Sequence, residues 1–471
     1  MTSPGDLAGS RRAFVIAPAG CGKTELIARA IANDYGKTQL VLTHTHAGVS
    51  AIRSRLKKYG VPPRGAAVDT IAGFALRLST GYPSTSGLAE FQPTGAMWNQ
   101  VNLTALKVLE RSFARRMLAA SYGGLYVDEY QDCTVQQHRI VQALAEIMPT
   151  RVLGDPLQGI FDFAGTLVSW DDDIPQYFEE LEPLSTPFRW KGRNEDLGDW
   201  LLSIRDPLLQ NRTLDISGAP IEIGDASQPK QVLKCMEFAG RTGSVVAIRK
   251  WAADAHNTAR NLGGRYSSME EMECGDLVKM AKRLDQSEGT RRAALLIEFA
   301  SLCATSVSTV LSTVRKQLDS GHTPARARRI ELNSAIDALV AVCTADQSDW
   351  NTSLIALERL SRLPGVRIFR GELLAEMRKI LTGVADGSFE NLTDAAWRVR
   401  DRARHQVRKL DYRLVSRALL VKGMEFDHCL VLDASEWNAR ELYVALTRGS
   451  RSLAVHVPGA KTDLIYRGAK P

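Results

Sequence analysis

The chain has little of what marks secreted, membrane-spanning or metal-stapled proteins. Its 471 residues include only seven cysteines, an odd number, and none forms a Cys-x-x-Cys pair. A disulfide framework or a zinc ribbon is therefore not expected, and a reducing compartment fits. No apolar run approaches the ~20 residues needed to cross a bilayer, and the stretch Met1–Arg12 is polar, without the apolar core of a signal peptide. The expectation is a soluble, cytoplasmic protein with no membrane partner. Internal repeats and long low-complexity linkers are also absent, which excludes a solenoid. Excess charge of one sign is small: 60 Lys+Arg against 53 Asp+Glu leaves +7. A polyanionic partner is permitted but not demanded. What is present is globular, with 44% hydrophobic and 24% charged residues, and the length suits about three units of ~150 residues.

Short apolar runs followed by helical periodicity open the chain. Residues 13–17 read as a strand, and a helix is expected from Lys23 to about Asn33. A second strand at 39–43 precedes a helix ending near Tyr59, and further strands are expected at 125–127 and 151–153. This alternation predicts a parallel sheet covered by helices. A strand at 245–248 follows, then an Ala-, Leu- and Arg-rich helical block to about Arg413, then strands at 430–432 and 453–455.

The segment Ala17-Pro-Ala-Gly-Cys-Gly-Lys-Thr24 has the character of a phosphate-binding loop, with Ala17 where the usual pattern begins with Gly. Small residues Ala19, Gly20, Cys21 and Gly22 let backbone N–H groups converge on phosphate oxygens. Lys23 offsets β/γ-phosphate charge, and the Thr24 hydroxyl suits Mg²⁺. In Leu125-Tyr-Val-Asp-Glu-Tyr-Gln-Asp132, Asp128 ends a strand where it can hold Mg²⁺, and Glu129 is placed to polarise an attacking water.

Both motifs together, in this order, resemble the UvrD/Rep/PcrA-like group of superfamily 1A DNA helicases. Arg151-Val-Leu-Gly-Asp-Pro-Leu-Gln158 and the residues to Gly165 look like the family's third motif. The resemblance implies that Gln158 senses the γ-phosphate and that Phe161 and Phe163 contact bases. Leu184-Ser-Thr-Pro-Phe-Arg189 resembles the fourth motif and implies an arginine on the γ-phosphate. Val421-Lys-Gly-Met-Glu-Phe-Asp427 resembles the fifth, with Glu425 on the ribose, and Leu442-Tyr-Val-Ala-Leu-Thr-Arg448 the sixth, with Arg448 a second arginine finger. Thr43-His-Thr-His46 and Val68-Asp-Thr-Ile71 stand where the family contacts DNA, so Thr43, Thr45 and Thr70 are candidate backbone contacts. His44 and His46 have no third ligand at metal-site spacing and read as surface or packing residues.

The implied fold is α/β, two RecA-like parallel-sheet P-loop domains. The first is expected over 1–183 with a short insertion at about 82–121. The second combines 184–257 with 411–471, and a helical insertion spans 258–410. The implied activity is an ATP- and Mg²⁺-dependent helicase or translocase acting 3′→5′ on single-stranded or tailed duplex DNA. A basic stretch, Arg398 to Arg404 with Arg408, Lys409 and Arg413, reads equally as a DNA groove lining or as a solvated helix face. Departures from the pattern matter too. No adenine-reading Gln precedes Lys23, Glu25 replaces a base-stacking Arg, Ala418-Leu419 replaces Thr-His, and Trp190 follows Arg189. The alternative is a nucleotide-gated, DNA-end-sensing subunit of an anti-phage complex, similar to the helicase-like subunit of Gabija-type systems that accompanies an OLD-like nuclease.

Overall fold

The computed structural model describes residues 1–33, 36–88, 97–161, 165–271, 274–404 and 411–470. Two six-stranded sheets, parallel throughout, form two RecA-like α/β units. The first contains β1 (Arg12–Ile16), β2 (Gln39–Thr43), β3 (Ala66–Thr70), β4 (Gly124–Val127), β5 (Thr150–Gly154) and β6 (Glu179–Leu181), in the order β3-β2-β4-β5-β1-β6. Between the sheets in sequence lies β7 (Leu214–Asp215). The second sheet contains β8 (Glu222–Asp225), β9 (Val245–Arg249), β10 (Ser267–Ser268), β11 (Arg413–Arg417), β12 (Phe426–Val431) and β13 (Gly449–Val457), in the order β10-β11-β9-β12-β13-β8. β14 (Asp463–Leu464) pairs antiparallel with β7.

Strand alternation explains why these runs are apolar without interruption. Helices cover both faces of a parallel sheet, so odd and even residues are both buried. Phe14, Leu40, Leu42, Leu125, Val127 and Val152 enter one core. Their neighbours Val15, Val41, Tyr126 and Leu153 enter the opposite one with Ile27 and Ile31 of the helix Lys23–Ala32. The second sheet repeats the scheme: Val246, Ile248, Cys429 and Val431 face one way, Val245, Ala247 and Leu430 the other.

Within the first unit, Val101, Ala105 and Val108 of the helix Met97–Leu109 pack into the unit's own core. The helical block has a separate core drawn from Cys274 to Val399. The helix Ala252–Asn261 and β10, by contrast, pack on the second sheet through Ala255, Ala259 and Tyr266. Buried ion pairs pin the block together and to that sheet: Arg370 to Glu270 at 2.6 Å and Arg400 to Glu376 at 2.7 Å. Arg400 is turned inward, Arg398 pairs with Asp394, and Arg413 donates to the carbonyls of Ala239, Gly243 and Arg241. Of the two readings of the basic stretch, Arg398 follows the solvated helix face, with Asp394 as its partner, whereas Arg400 and Arg413 follow neither, being taken up inside the fold; Arg408 and Lys409 lie outside the described residues. Among the described residues, no helix is long and apolar enough to cross a membrane.

Candidate nucleotide-binding and catalytic cleft

Parallel sheets place their loops at the carboxyl ends of the strands, and ligands gather there. In the first unit β5 lies between β1 and β4, so three chemical segments emerge side by side: the 17–24 loop, the acidic turn at 128–132, and the turn at 155–158. Together with residues of the second unit they line a cavity of about 750 Å³. Its lining includes Ala19, Gly20, Cys21, Gly22, Lys23, Thr24, Asp128, Glu129, Gln158, Arg189, Glu425 and Arg448. Every residue expected at the nucleotide is thus brought to one place from positions spread over more than four hundred residues.

The loop needs its glycines. Gly20 and Gly22 have φ of +73° and +86°, a left-handed region that β-carbon-bearing residues enter at a cost. A Cβ on Gly20 would also lie 2.5 Å from the ring of Trp190 and 2.8 Å from the Cβ of Arg189. Trp190, the residue that departs from the family pattern, therefore caps the loop, and its indole N–H is held by the carbonyl of Gly449 at 2.8 Å.

Lys23 heads its helix, with Nζ 2.8 Å from Glu129 and 3.8 Å from Asp128. Thr24 Oγ1 donates to Asp128 at 2.9 Å. Two hard oxygen donors so close together fit Mg²⁺. Glu129 is a non-glycine residue at φ 60°, ψ 40°, a strained conformation of the kind stored at functional sites. Gln131 secures it, donating to Glu129 at 2.5 Å while its own carbonyl accepts the amide of Asp155 at 3.0 Å. Burial drives the Asp128 carboxyl upward, with Lys23 only partly opposing. Burial also works against ionised Glu129, but Lys23 and Lys422 outweigh it and hold that carboxyl low. The result is an ionised Glu129 neutralised by cations.

Three arrangements were not legible as site features. Asp155, fully buried, accepts from the amide of Ala19 at 3.2 Å and from Gln158 at 2.9 Å. It also takes both Nη atoms of Arg205, a second-unit residue, at 2.9 and 2.8 Å, and Arg205 continues to the Tyr443 hydroxyl at 2.8 Å. Lys422 reaches across as well, to both carboxylate oxygens of Asp132 at 2.5 Å and to the carbonyl of Gln158. Burial lifts Asp132 to about 6, the Lys422 ammonium opposing. Lys422 sits inside the quoted fifth-motif segment, so it could have been singled out there; Arg205 lies in no quoted motif. The third arrangement is His44, discussed below.

The expected arginine fingers differ. Arg189 donates to Glu425 at 2.9 Å and to the carbonyl of Thr447 at 2.6 Å, while its amide holds the carbonyl of Gly20 at 3.1 Å. Arg448 is almost fully buried, and all three guanidinium nitrogens are engaged within its own unit: Nε to Val444 O, Nη1 to Met424 O and Nη2 to Thr447 Oγ1. Burial first, then Arg189, pushes its ionisation down to about 9. Glu25 is committed to Lys58, Tyr59 and Arg55.

Of the DNA candidates, Thr45 and Thr70 cap the helices His46–Lys58 and Ile71–Gly81, accepting from Gly48 and Gly73 at 3.0 and 2.9 Å. Thr43, Thr45 and Phe161 line the cavity, whereas Thr70 does not. The Phe161 ring lies 4.7 Å from Lys422 Nζ. Phe163 lies outside the described residues.

A family model described as an AAA domain matches residues 6–164, the span holding the 17–24 loop, Asp128, Glu129 and Gln158. No curated protein matches significantly. Among solved structures the chain is similar to Pif1 helicase from Candida albicans, with a TM-score of 0.31 and 13% identity over 55% of this chain and 52% of that one. It is also similar to Pif1 helicase from Bacteroides in complex with ADP-AlF3 and ssDNA, with a TM-score of 0.28 and 13% identity over 54% and 53%. The chain thus covers about half the length of these two structures.

Proposed function

We propose that the protein is an ATP-driven DNA motor, a helicase or translocase of UvrD-like type moving 3′→5′ along single-stranded DNA. The observation that carries this reading is the cleft: loop, Glu129 and Gln158 from one unit face Arg189 and Arg448 from the other. The AAA-domain match over the first unit supports nucleotide use there. The triphosphate lies on the amides of 19–24, drawing Lys23 to its β/γ oxygens. Thr24 and Asp128 would hold Mg²⁺, which would supply charge neutralisation on the phosphates when bound. The water oxygen bonds to the γ-phosphorus, the bond to the bridging oxygen breaks with its electrons leaving on ADP, and a water proton passes to Glu129. Lys23 holds Glu129 until nucleotide arrives, so binding releases the base it needs. Gln158 reports the γ-phosphate to Asp155 and thence, through Arg205, to the second unit. The DNA track follows the ends of β2 and β3, where Thr43, Thr45 and Thr70 stand. The domain division that goes with this reading keeps 1–183 and 411–471 as expected but moves the boundary expected at 257 to about 271, because β10 pairs with β11 in the second sheet, and the helical insertion follows it.

ATPase assays with and without single-stranded DNA test the proposal, with Glu129→Gln alongside. DNA should stimulate turnover, and Glu129→Gln should keep nucleotide binding while losing about 10²–10⁴ in rate. Wild-type turnover in that variant, or indifference to DNA, sinks it. A second reading, the DNA-end-sensing subunit beside an OLD-like nuclease, draws support from Arg448, whose bonds to its own unit keep it off the phosphates until something rearranges it. Strand displacement on 3′- and 5′-tailed duplexes separates the two: a motor unwinds the 3′-tailed substrate, a sensor neither.

A further inference from the structure

His44 belongs to no motif role assigned so far. The parallel pairing of β2 with β4 sets Leu42 opposite Val127, and one more bond continues the ladder, from the amide of Asp128 to the carbonyl of Leu42 at 2.8 Å. His44 leaves the end of β2 as Asp128 and Glu129 leave the end of the adjacent β4, and the Glu129 charge acts on its ring. The imidazole lines the nucleotide cavity; both of its nitrogens are sealed from solvent and, among the described residues, neither meets hydrogen-bond geometry, the Gln137 side chain being the polar group close enough to interact with the ring. An unmade hydrogen bond on a buried polar group is costly, and such a group in a native site calls for a ligand. Apolar packing would be served as well by Phe or Leu, so packing alone does not account for a histidine.

We infer that His44 is a further catalytic residue, holding the attacking water from the side opposite Glu129. This rests on the hydrolytic reading of the cleft. The charged groups around the ring are Lys422, Glu129 and Lys23, with Gln137 beside it. Burial, helped by Lys422, pushes the imidazole down to about 4, so the ring is neutral at working pH. A neutral imidazole accepts through one nitrogen and donates through the other. Accepting one water hydrogen aims a lone pair at the γ-phosphorus while the other hydrogen faces Glu129. In the step itself the water oxygen bonds to phosphorus, the bridging bond breaks toward ADP, and the proton goes to Glu129; His44 gains and loses none.

The test compares His44→Phe, His44→Gln and Glu129→Gln in the full chain. His44→Phe keeps the volume and removes the unpartnered nitrogens, so its thermal midpoint should equal or exceed wild type, and a fluorescent ATP analogue should bind with unchanged affinity. Its kcat should fall by about 10²-fold with KM unchanged, the size expected when a reacting group is misplaced. His44→Gln, which can still accept a hydrogen bond, should recover most of that loss. Wild-type kcat in His44→Phe overturns the inference, as does loss of folding or nucleotide binding in both His44 variants, which would make the residue structural. If instead Glu129→Gln turns over normally, or the wild type hydrolyses nothing, it is the hydrolytic reading that fails, and the inference falls with it.

Discussion

The first unit brings carboxylates to the cleft and the second brings cations. Asp128, Glu129, Asp132 and Asp155 come from turns after β4 and β5, whereas Arg189, Arg205, Lys422 and Arg448 come from loops and helix ends of the other unit. The division has exceptions: Lys23, Arg29 and Arg55 of the first unit and Glu425 of the second also line the cavity, Lys23 facing its own unit's Glu129 and Glu425 facing Arg189. Both sheets are parallel and six-stranded, so the fold does not explain the difference. The asymmetry suits a ligand that is itself anionic. On the proposed reading a triphosphate would compete with the carboxylates for these cations, and taking Lys422 would loosen its tie to Asp132 across the units. Arg205–Asp155 and Lys422–Asp132 are both deeply placed, with 9% and 0% and with 6% and 2% of the side chains exposed.

Predictions follow this division of charge, from the largest effect down. Arg448→Ala should reduce DNA-stimulated turnover by about 10³–10⁵ while nucleotide affinity stays within a few-fold. Fluorescence titration and phosphate release measured on one preparation check it; near-normal turnover would remove Arg448 from the cleft's chemistry. Arg205→Ala breaks a buried pair and strands Asp155, which should cost about 3–5 kcal/mol in urea unfolding. In Arg205→Ala/Asp155→Leu, where no charge is left stranded, most of that loss should be recovered. If the single and the double variant unfold alike, the pair is not the tie described.

Smaller effects test the cleft's edges. Glu25 is already engaged by Lys58, Tyr59 and Arg55 and no Gln precedes the loop, so turnover with ATP, GTP and CTP should agree within about tenfold. A strict ATP requirement would reveal a base-reading group elsewhere. Burial pushes the Cys21 thiol up to about 12, leaving little thiolate at pH 8. Iodoacetamide at that pH should therefore label half-buried Cys343 well before Cys21, as read by peptide mass spectrometry. Early Cys21 labelling would mean the cap formed by Arg189 and Trp190 opens readily.

Sequence by itself determined the elements whose residues are apolar on both faces. β1, β2, β4, β5 and β9 fall on the expected runs, and β12 and β13 contain part or all of theirs but begin four residues earlier; these runs were legible because they feed two cores at once. It also singled out the 17–24 loop and Asp128-Glu129, which the structure brings to one cavity, because residues proposed to act together there lie together in sequence. Several strands were illegible. β6 is Glu-Glu-Leu, β8 begins with Glu222, and β10 is two serines; these are edge strands, paired on one side, whose hydrogen bonds are made by backbone and leave no apolar signature. Tertiary structure alone decided the cleft's cross-unit ties. Arg205 meets Asp155 fifty residues away and Lys422 meets Asp132 across 290, and no local pattern encodes a partner that only packing supplies. His44 shows the same limit within one unit, because a histidine after a strand looks like a surface residue until the pairing of β2 with β4 brings the ends of both strands to one cavity.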